Sequence, residues 1–303
     1  MSGLLAKSKF MTFEDFLFEE GEKLGIKQIP YAVPVDKKII STIDNPVTTE
    51  FIKSYVNAST DITYGQIIAE SILSSPSCYP EVYNVAKKCA EKLCMPMVDV
   101  YISPLVSGMN AITIGTDDET CIILGSLLTA ILNEEQLAFV IGHEMGHIAS
   151  GHILYHTALQ NLRNSITLIP IVGDLIYKAT VLPLFSWYRR SELTADRAGL
   201  LCCGNVETAL DTMLQLMAGF MDTSKVDVNE YIEKSSGALD KNFFRKIGEL
   251  TQSHPLTVKR LKALQLFSES KKYERCNGVR IQDKELLSDA ELEAQTEAIV
   301  KIM

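Results

Sequence analysis

The sequence predicts an α+β protein, mainly helical, in which a small antiparallel sheet lies beside one long buried helix. Three observations carry this. After Pro80 apolar residues recur mostly at helical spacing. Over roughly residues 97–124 the period drops to two, across three short runs. Directly afterwards "NEEQLAFVIGHEMGHIAS" combines a helical pattern with apolar and small flanks, which places that helix inside the molecule.

The elements follow in order. The first 75 residues read as short helices joined by Pro- and Asn-containing turns such as "IPYAVPVDKK" and "STIDNPVTT". In "PEVYNVAKKCAEKLCM", Val82, Val85, Ala86, Cys89, Ala90 and Leu93 share one helical face behind a proline suited to a first turn. "MVDVYIS" then alternates Val98, Val100 and Ile102, and "NAITIG" and "TCIIL" follow as further strands. For the long helix Asn133 is the expected N-cap, Glu134 and Glu135 suit the first turn, and Leu137, Val140, Ile141 and Ile148 form the buried stripe. Later helices are predicted at about 190–202, 205–221, 257–268 and 289–302, the last opened by a Ser288–Glu291 capping box. The organisation read from this is an N-terminal helical extension (1–75), a catalytic domain (76–270) and an acidic helical tail (271–303).

Composition narrows the function. With 47% hydrophobic and 22% charged residues, the 303-residue chain is an ordinary globular protein. A net charge of -9 argues against a nucleic-acid partner, since phosphate attracts basic surfaces. Part of that acidity lies in the last thirty residues, read as a solvated helix. Seven cysteines with no CxxC spacing, and no secretory leader in "MSGLLAKSKFMTFEDFLFEE", point to a reducing, cytoplasmic compartment. Residues 165–187 are strongly apolar, but Asp174, Lys178 and two prolines interrupt them. They read as a buried or surface-lying helical segment, with peripheral membrane contact as the alternative.

The chemistry is concentrated in "HEMGH", residues 143–147. Histidines four apart lie one turn apart on one helical face, so His143 and His147 can reach a single cation. Glu144 projects beside that face, within reach of a metal-activated water. Gly142 and Gly146 allow close approach of other elements. Buried imidazoles without a partner are costly, so a metal is expected. At about 100° per residue His152 and His156 project to the opposite side of the helix and form a separate i, i+4 pair satisfied by hydrogen bonds, with a second metal there as the alternative.

A catalytic zinc takes three protein ligands. Two downstream stretches offer a glutamate with an aspartate four residues on: "ELTAD" (Glu192, Asp196) and "ETALD" (Glu207, Asp211). Spacing alone leaves both open. Small neighbours Ala195, Ala198 and Gly199 favour the first, because they permit packing against the zinc helix. Glu207 has a sufficient explanation as a first-turn acid.

In this order "NAITIG", "NEEQLAFVIGHEMGHIASGH", "SELTADRAGL" and "SHPLTVKRLKAL" resemble the HtpX-like zinc metallopeptidases, the CaaX prenyl protease type of metallopeptidase family forty-eight. The resemblance spans about residues 80–268. It implies a zincin-like, gluzincin catalytic domain with one zinc ion on His143, His147 and Glu192. Glu144 is then the catalytic base, and Asp196 supports a ligand histidine from behind. It also implies that Asn110 and Ala111 edge the substrate-binding strand and that His254 stands near the metal to stabilise the tetrahedral intermediate. Membrane-embedded relatives carry spanning helices, and this sequence shows none as clear. The first 75 residues and those after about 270 lie outside the resemblance.

The expected activity is zinc-dependent endoproteolysis of extended or misfolded polypeptide, through a zinc-activated water and Glu144. The alternative is a silent zinc-bearing scaffold, or a latent protease, whose open position is plugged by His254 or by a loop from 222–253.

Overall fold

Asn133 and Gln136 close a reciprocal capping box: the Gln136 N–H donates to Asn133 Oδ1 (3.0 Å) and the Asn133 N–H to Gln136 Oε1 (3.1 Å). This starts the helix that organises the molecule, seen in a computed structural model. The structure describes residues 29–34, 65–67, 69–106, 108–115, 120–153, 156, 182–219, 223–240, 257–281 and 285–300. In chain order these include β1 (Ile72–Leu73), α1 (Pro80–Lys92), β2 (Asp99–Ser103), β3 (Ala111–Gly115), β4 (Thr120–Gly125), α2 (Ser126–Ile131) and α3 (Glu134–Ala149). After them come α4 (Leu182–Cys203), α5 (Val206–Ala218), α6 (Val228–Asp240), α7 (Thr257–Ser268), α8 (Lys271–Asn277) and α9 (Asp289–Val300).

The chain is mainly helical with a four-stranded sheet in the order β1-β2-β4-β3. The expected antiparallel sheet is in fact mixed. β1–β2 and β3–β4 are antiparallel, while β2 and β4 run parallel, with Val100 opposite Ile122. The reason is positional: β3 takes the outer edge, so β4 slots between it and β2. Occupying the middle of the sheet also explains the unbroken run Cys121–Leu124. Ile122 and Leu124 enter the main core, and Cys121 and Ile123 pack with Ile67 and Tyr101 on the other face.

The core forms where α1, α3, α4 and the sheet meet. Helices α3 and α4 run antiparallel in close contact because small residues face each other. A Cβ on Gly146 would stand 2.6 Å from Ala198 Cβ and 3.0 Å from Ala195 Cα. One on Gly142 would stand 2.6 Å from Cys202 Cβ, and one on Gly199 2.7 Å from the Phe139 carbonyl oxygen. At its far end α3 stops at Ala149, with Ser150 as C-cap and Gly151 turning the chain at φ 70°.

Later elements agree with the sequence pattern at Thr257–Ser268 and Asp289–Val300, where Ser288 and Glu291 form the expected capping box. Helix α4 begins earlier than expected and absorbs the end of the apolar segment, with Trp187 fully buried. Residues 165–181 of that segment lie outside the described residues. Among the described residues no helix is long and apolar enough to cross a membrane.

The acidic C-terminal helix is not the solvated element its composition suggests. Leu292, Thr296 and Val300 are buried, and Val300 clusters with Leu193 of α4, Ala263 of α7 and Val33. Its acids meet buried cations: Glu293 binds Arg197 and Lys272, and Glu297 binds Arg190. The Arg197 guanidinium also donates to the Tyr31 carbonyl at 3.2 Å, and Thr194 Oγ1 accepts the Val33 N–H at 3.1 Å. Segments near both ends of the sequence therefore brace α4.

The α3–α4 contact is testable. Gly146→Ala should lower stability by about 1–3 kcal/mol through overpacking, outweighing a helix-propensity gain of about 1 kcal/mol. Urea unfolding measures it, and Ala198→Gly in the same chain should restore part of the loss. A Gly146→Ala chain as stable as wild type would contradict the close approach.

Candidate metal centre

Each side of the centre comes from a different element. Helix α3 contributes His143, Glu144 and His147, and α4 contributes Glu192 and Asp196 at the same spacing on its facing side. Helix α7 adds Arg260, and edge strand β3 adds Thr113. Because α3 and α4 touch through glycine and alanine, their polar residues meet without intervening bulk.

One donor atom from each of His143, His147 and Glu192 lies within 4.8 Å of the other two. His143 Nε2 is 3.8 Å from Glu192 Oε2, and His147 Nε2 is 3.5 Å from Glu192 Oε1. Both rings thus turn Nε2 towards the same carboxylate. Their Nδ1 atoms face outward, His143 to Asp196 Oδ1 at 3.0 Å and His147 to His152 Nδ1 at 3.1 Å. This division of the ring nitrogens fits a metal ligand set: one nitrogen points to a common point and the other is held from behind.

Charge supports the same conclusion. Glu192 and Asp196 are 2% and 1% exposed, and buried carboxylates need counter-charge. Arg260 reaches both, with Nη1 3.0 Å from Glu192 Oε2 and Nε donating to Asp196 Oδ2 at 2.8 Å. One guanidinium against two carboxylates leaves negative charge that a cation would neutralise. Burial pushes the Asp196 carboxyl up, but the Arg260 charge and hydrogen bonds, together with His143, hold it below its ordinary value. Burial lowers His143, yet the Asp196 hydrogen bond and charge outweigh it and raise the ring's pKa. His147 moves the other way, lowered chiefly by burial. The carboxylates raise Arg260 above its usual value despite burial.

Glu144 is buried against β3, where Thr113 Oγ1 donates to its Oε2 at 2.6 Å. The centre floors a cleft of about 400 Å³. Strand β3 with Met109, Asn110 and Ala111 lines one wall, while Val140, Met213, Leu216 and Met217 form an apolar end. Ile153, His156 and Tyr188 lie in the same cleft, and Arg260 and Thr257 line it from α7.

The predicted residues are brought together with few exceptions. His143, Glu144, His147, Glu192 and Asp196 converge, and Asn110 and Ala111 line the cleft. His254 lies outside the described residues. The competing pair takes no part among the described residues. Glu207 is exposed in the first turn of α5, and Asp211 accepts from Gln136, Gln215 and Thr223. The placement of His152 is a correction. It is not on the far side of the helix, because α3 ends before it and the Gly151 turn folds it back against His147. His156 comes with it, its ring 4.4 Å from that of His147.

Arg260, Thr113 and His152 were missed. Arg260 carried only a faint signal, a cation between the buried Val258 and Leu261, its own side chain 17% exposed. Thr113 had a weaker one, a polar residue in the apolar run "NAITIG".

Comparison with known proteins bears directly on this centre. The family model for peptidase family M48 matches residues 76–267, which contain α3, α4 and all of α7 but its last residue. The plastoglobule-localized metallopeptidase 48 of Arabidopsis thaliana, a chloroplastic protein, is 26% identical over 75% of this chain and 69% of its own length. A protease HtpX homolog of Streptococcus uberis is 27% identical over 67% of this chain and 68% of its own. Another from Streptococcus mutans reaches 33% identity, over 31% of each chain. No solved structure matches at a significant level. With more than half of its length matched, including both helices that form the centre, the chain belongs to peptidase family M48 and is a metallopeptidase.

Proposed function

We propose that the chain is a zinc-dependent endopeptidase that cleaves extended or misfolded polypeptides at this centre. His143, His147 and Glu192 hold one zinc ion. The observation that carries the proposal is the convergence of these three side chains at the floor of a cleft walled by an edge strand. When bound there, zinc supplies Lewis acidity to the scissile carbonyl and to the attacking water. The protein supplies the rest. Glu144 accepts a proton from the attacking water on one carboxylate oxygen while Thr113 holds the other, then returns it to the leaving amine. Asp196 accepts the hydrogen of His143 Nδ1, and Arg260 fixes both α4 carboxylates.

Substrate binds as an extended segment beside β3, at Asn110 and Ala111, because an edge strand can pair with one more chain. The end formed by Val140, Met213, Leu216 and Met217 receives an apolar side chain. His254, as the family resemblance implies, assists the developing oxyanion. The catalytic unit is residues 76–270, braced by the segments that flank it. Seven cysteines without CxxC spacing suit a reducing compartment, and residues 165–187 are the candidate for peripheral membrane contact.

Three outcomes check this. Glu144→Gln should keep its zinc by elemental analysis while hydrolysis of an unfolded protein substrate falls about 10²–10⁴-fold. Retained zinc with undiminished cleavage would refute the role of Glu144. Stripping the metal with phenanthroline should abolish cleavage, and stoichiometric zinc should restore it; activity surviving in metal-free protein would end the proposal. Arg260→Met leaves two buried carboxylates without their cation, a loss of about 3–5 kcal/mol in the metal-free chain. Zinc should shrink that loss, which paired unfolding curves with and without metal will show.

A further inference from the structure

The two proposed ligand histidines are held from behind by different chemistry. Behind His143 stands a carboxylate, Asp196. Behind His147 stands another imidazole, with His147 Nδ1 3.1 Å from His152 Nδ1. Two neutral rings at that separation share one hydrogen, so one donates and the other accepts. With zinc on His147 Nε2, as proposed above, that nitrogen carries no hydrogen, so Nδ1 carries it and His152 accepts.

His152 is built into that position. The backbone folds it back through Gly151, and its own N–H donates to the His147 carbonyl at 3.0 Å. The residue is 1% exposed. Trp187 meets its ring edge-on at 5.4 Å, and His156 stacks on it at 5.7 Å with 12° between planes. His156 is fixed in turn: Tyr188 stacks on it at 4.1 Å, and its Nε2 lies 2.7 Å from Ser191 Oγ. Ser191 gives its only hydrogen to the Tyr188 carbonyl (2.8 Å), so His156 Nε2 donates to Ser191.

We infer that His152 is a positioning residue for the metal centre, a neutral hydrogen-bond acceptor that sets the tautomer and ring orientation of His147. This rests on His147 being a zinc ligand as proposed above. A neutral acceptor suits the place. Glu144, Glu192 and Asp196 already stand in the buried centre against Arg260, and a further carboxylate at position 152 would add unbalanced buried charge. The rival use of these side chains is a second cation held by His147, His152 and His156, whose nitrogens lie within 4.8 Å of one another. A hydrogen bond accounts for the 3.1 Å contact without one.

The test measures zinc stoichiometry and zinc affinity, by competition with a chromophoric chelator, in the full chain. It compares wild type with His152→Leu, His152→Asn and His147→Ala, and records metal-free unfolding for each. Wild type should bind one zinc. His152→Leu should bind it about 10–100-fold more weakly, while His152→Asn, whose Oδ1 accepts a hydrogen bond without charge, should recover most of the affinity at similar metal-free stability. If leucine prevents folding, a folded His152→Asn within a few-fold of wild-type affinity still supports the acceptor role, whereas a folded Asn variant weakened as far as His147→Ala refutes it. Wild-type affinity in His152→Leu, alongside the loss in His147→Ala, overturns the inference and leaves the ligand assignment intact. Unchanged affinity in His147→Ala overturns the ligand assignment itself. Two zinc ions in wild type, falling to one in His152→Leu, would assign the trio to a second cation and refute the acceptor role.

Discussion

Helices α3 and α4 approach so closely that a methyl group on Gly142, Gly146 or Gly199 would collide with the facing helix, and the geometry of the centre follows from this spacing. At an ordinary helix separation of 8–10 Å, larger side chains would fill the interface. Here glycine and alanine remove that layer. Glu192 can then stand within 4 Å of both imidazoles while all three remain on regular helices, the most rigid supports a chain offers. No loop has to hold a proposed ligand in place. The cleft also inherits its shape from this contact, since β3 packs against the open side of α3 and closes one wall.

Electrostatics imposes the second layer of order. Burying Glu192 and Asp196 on one helix creates a demand for positive charge that Arg260 meets in part. The remaining demand falls at the inward-facing ring nitrogens. The outward nitrogens divide the surroundings into a carboxylate side behind His143 and an aromatic side of imidazole and indole behind His147. The two rings shift in opposite directions: burial lowers His147 despite the Glu192 carboxylate, whereas the Asp196 hydrogen bond and charge outweigh burial at His143 and raise it.

Much of this could be read before any coordinates, because the signals are local. The 143–147 spacing, the Asn133 cap, the alternation in "MVDVYIS" and the small residues around Glu192 each act within a turn or two of chain. What escaped depends on where a local pattern stops or on what lies across the fold. His152 was misplaced by extending a helical projection past Ala149, although Gly151 marks the break. The sheet was read as antiparallel because sequence order does not reveal that β3 moves to the edge. The acidic tail was read as solvated because its partners, Arg190 and Arg197, lie about a hundred residues earlier. Arg260 was missed because a single arginine on a helix has no spacing to betray it.

The docking of α9 on α4 has a consequence in time. The ribosome makes the HExxH helix, Glu192 and Arg260 before it makes Glu293 and Glu297, since synthesis runs from the N-terminus. Until those residues emerge, Arg190 and Arg197 lack the counter-charges that hold them beneath the surface, and α4 lacks one of its braces. A nascent chain thus carries every proposed ligand before the scaffold that holds the third one is complete. The rigidity of the centre therefore rests in part on residues made after all of its proposed ligands.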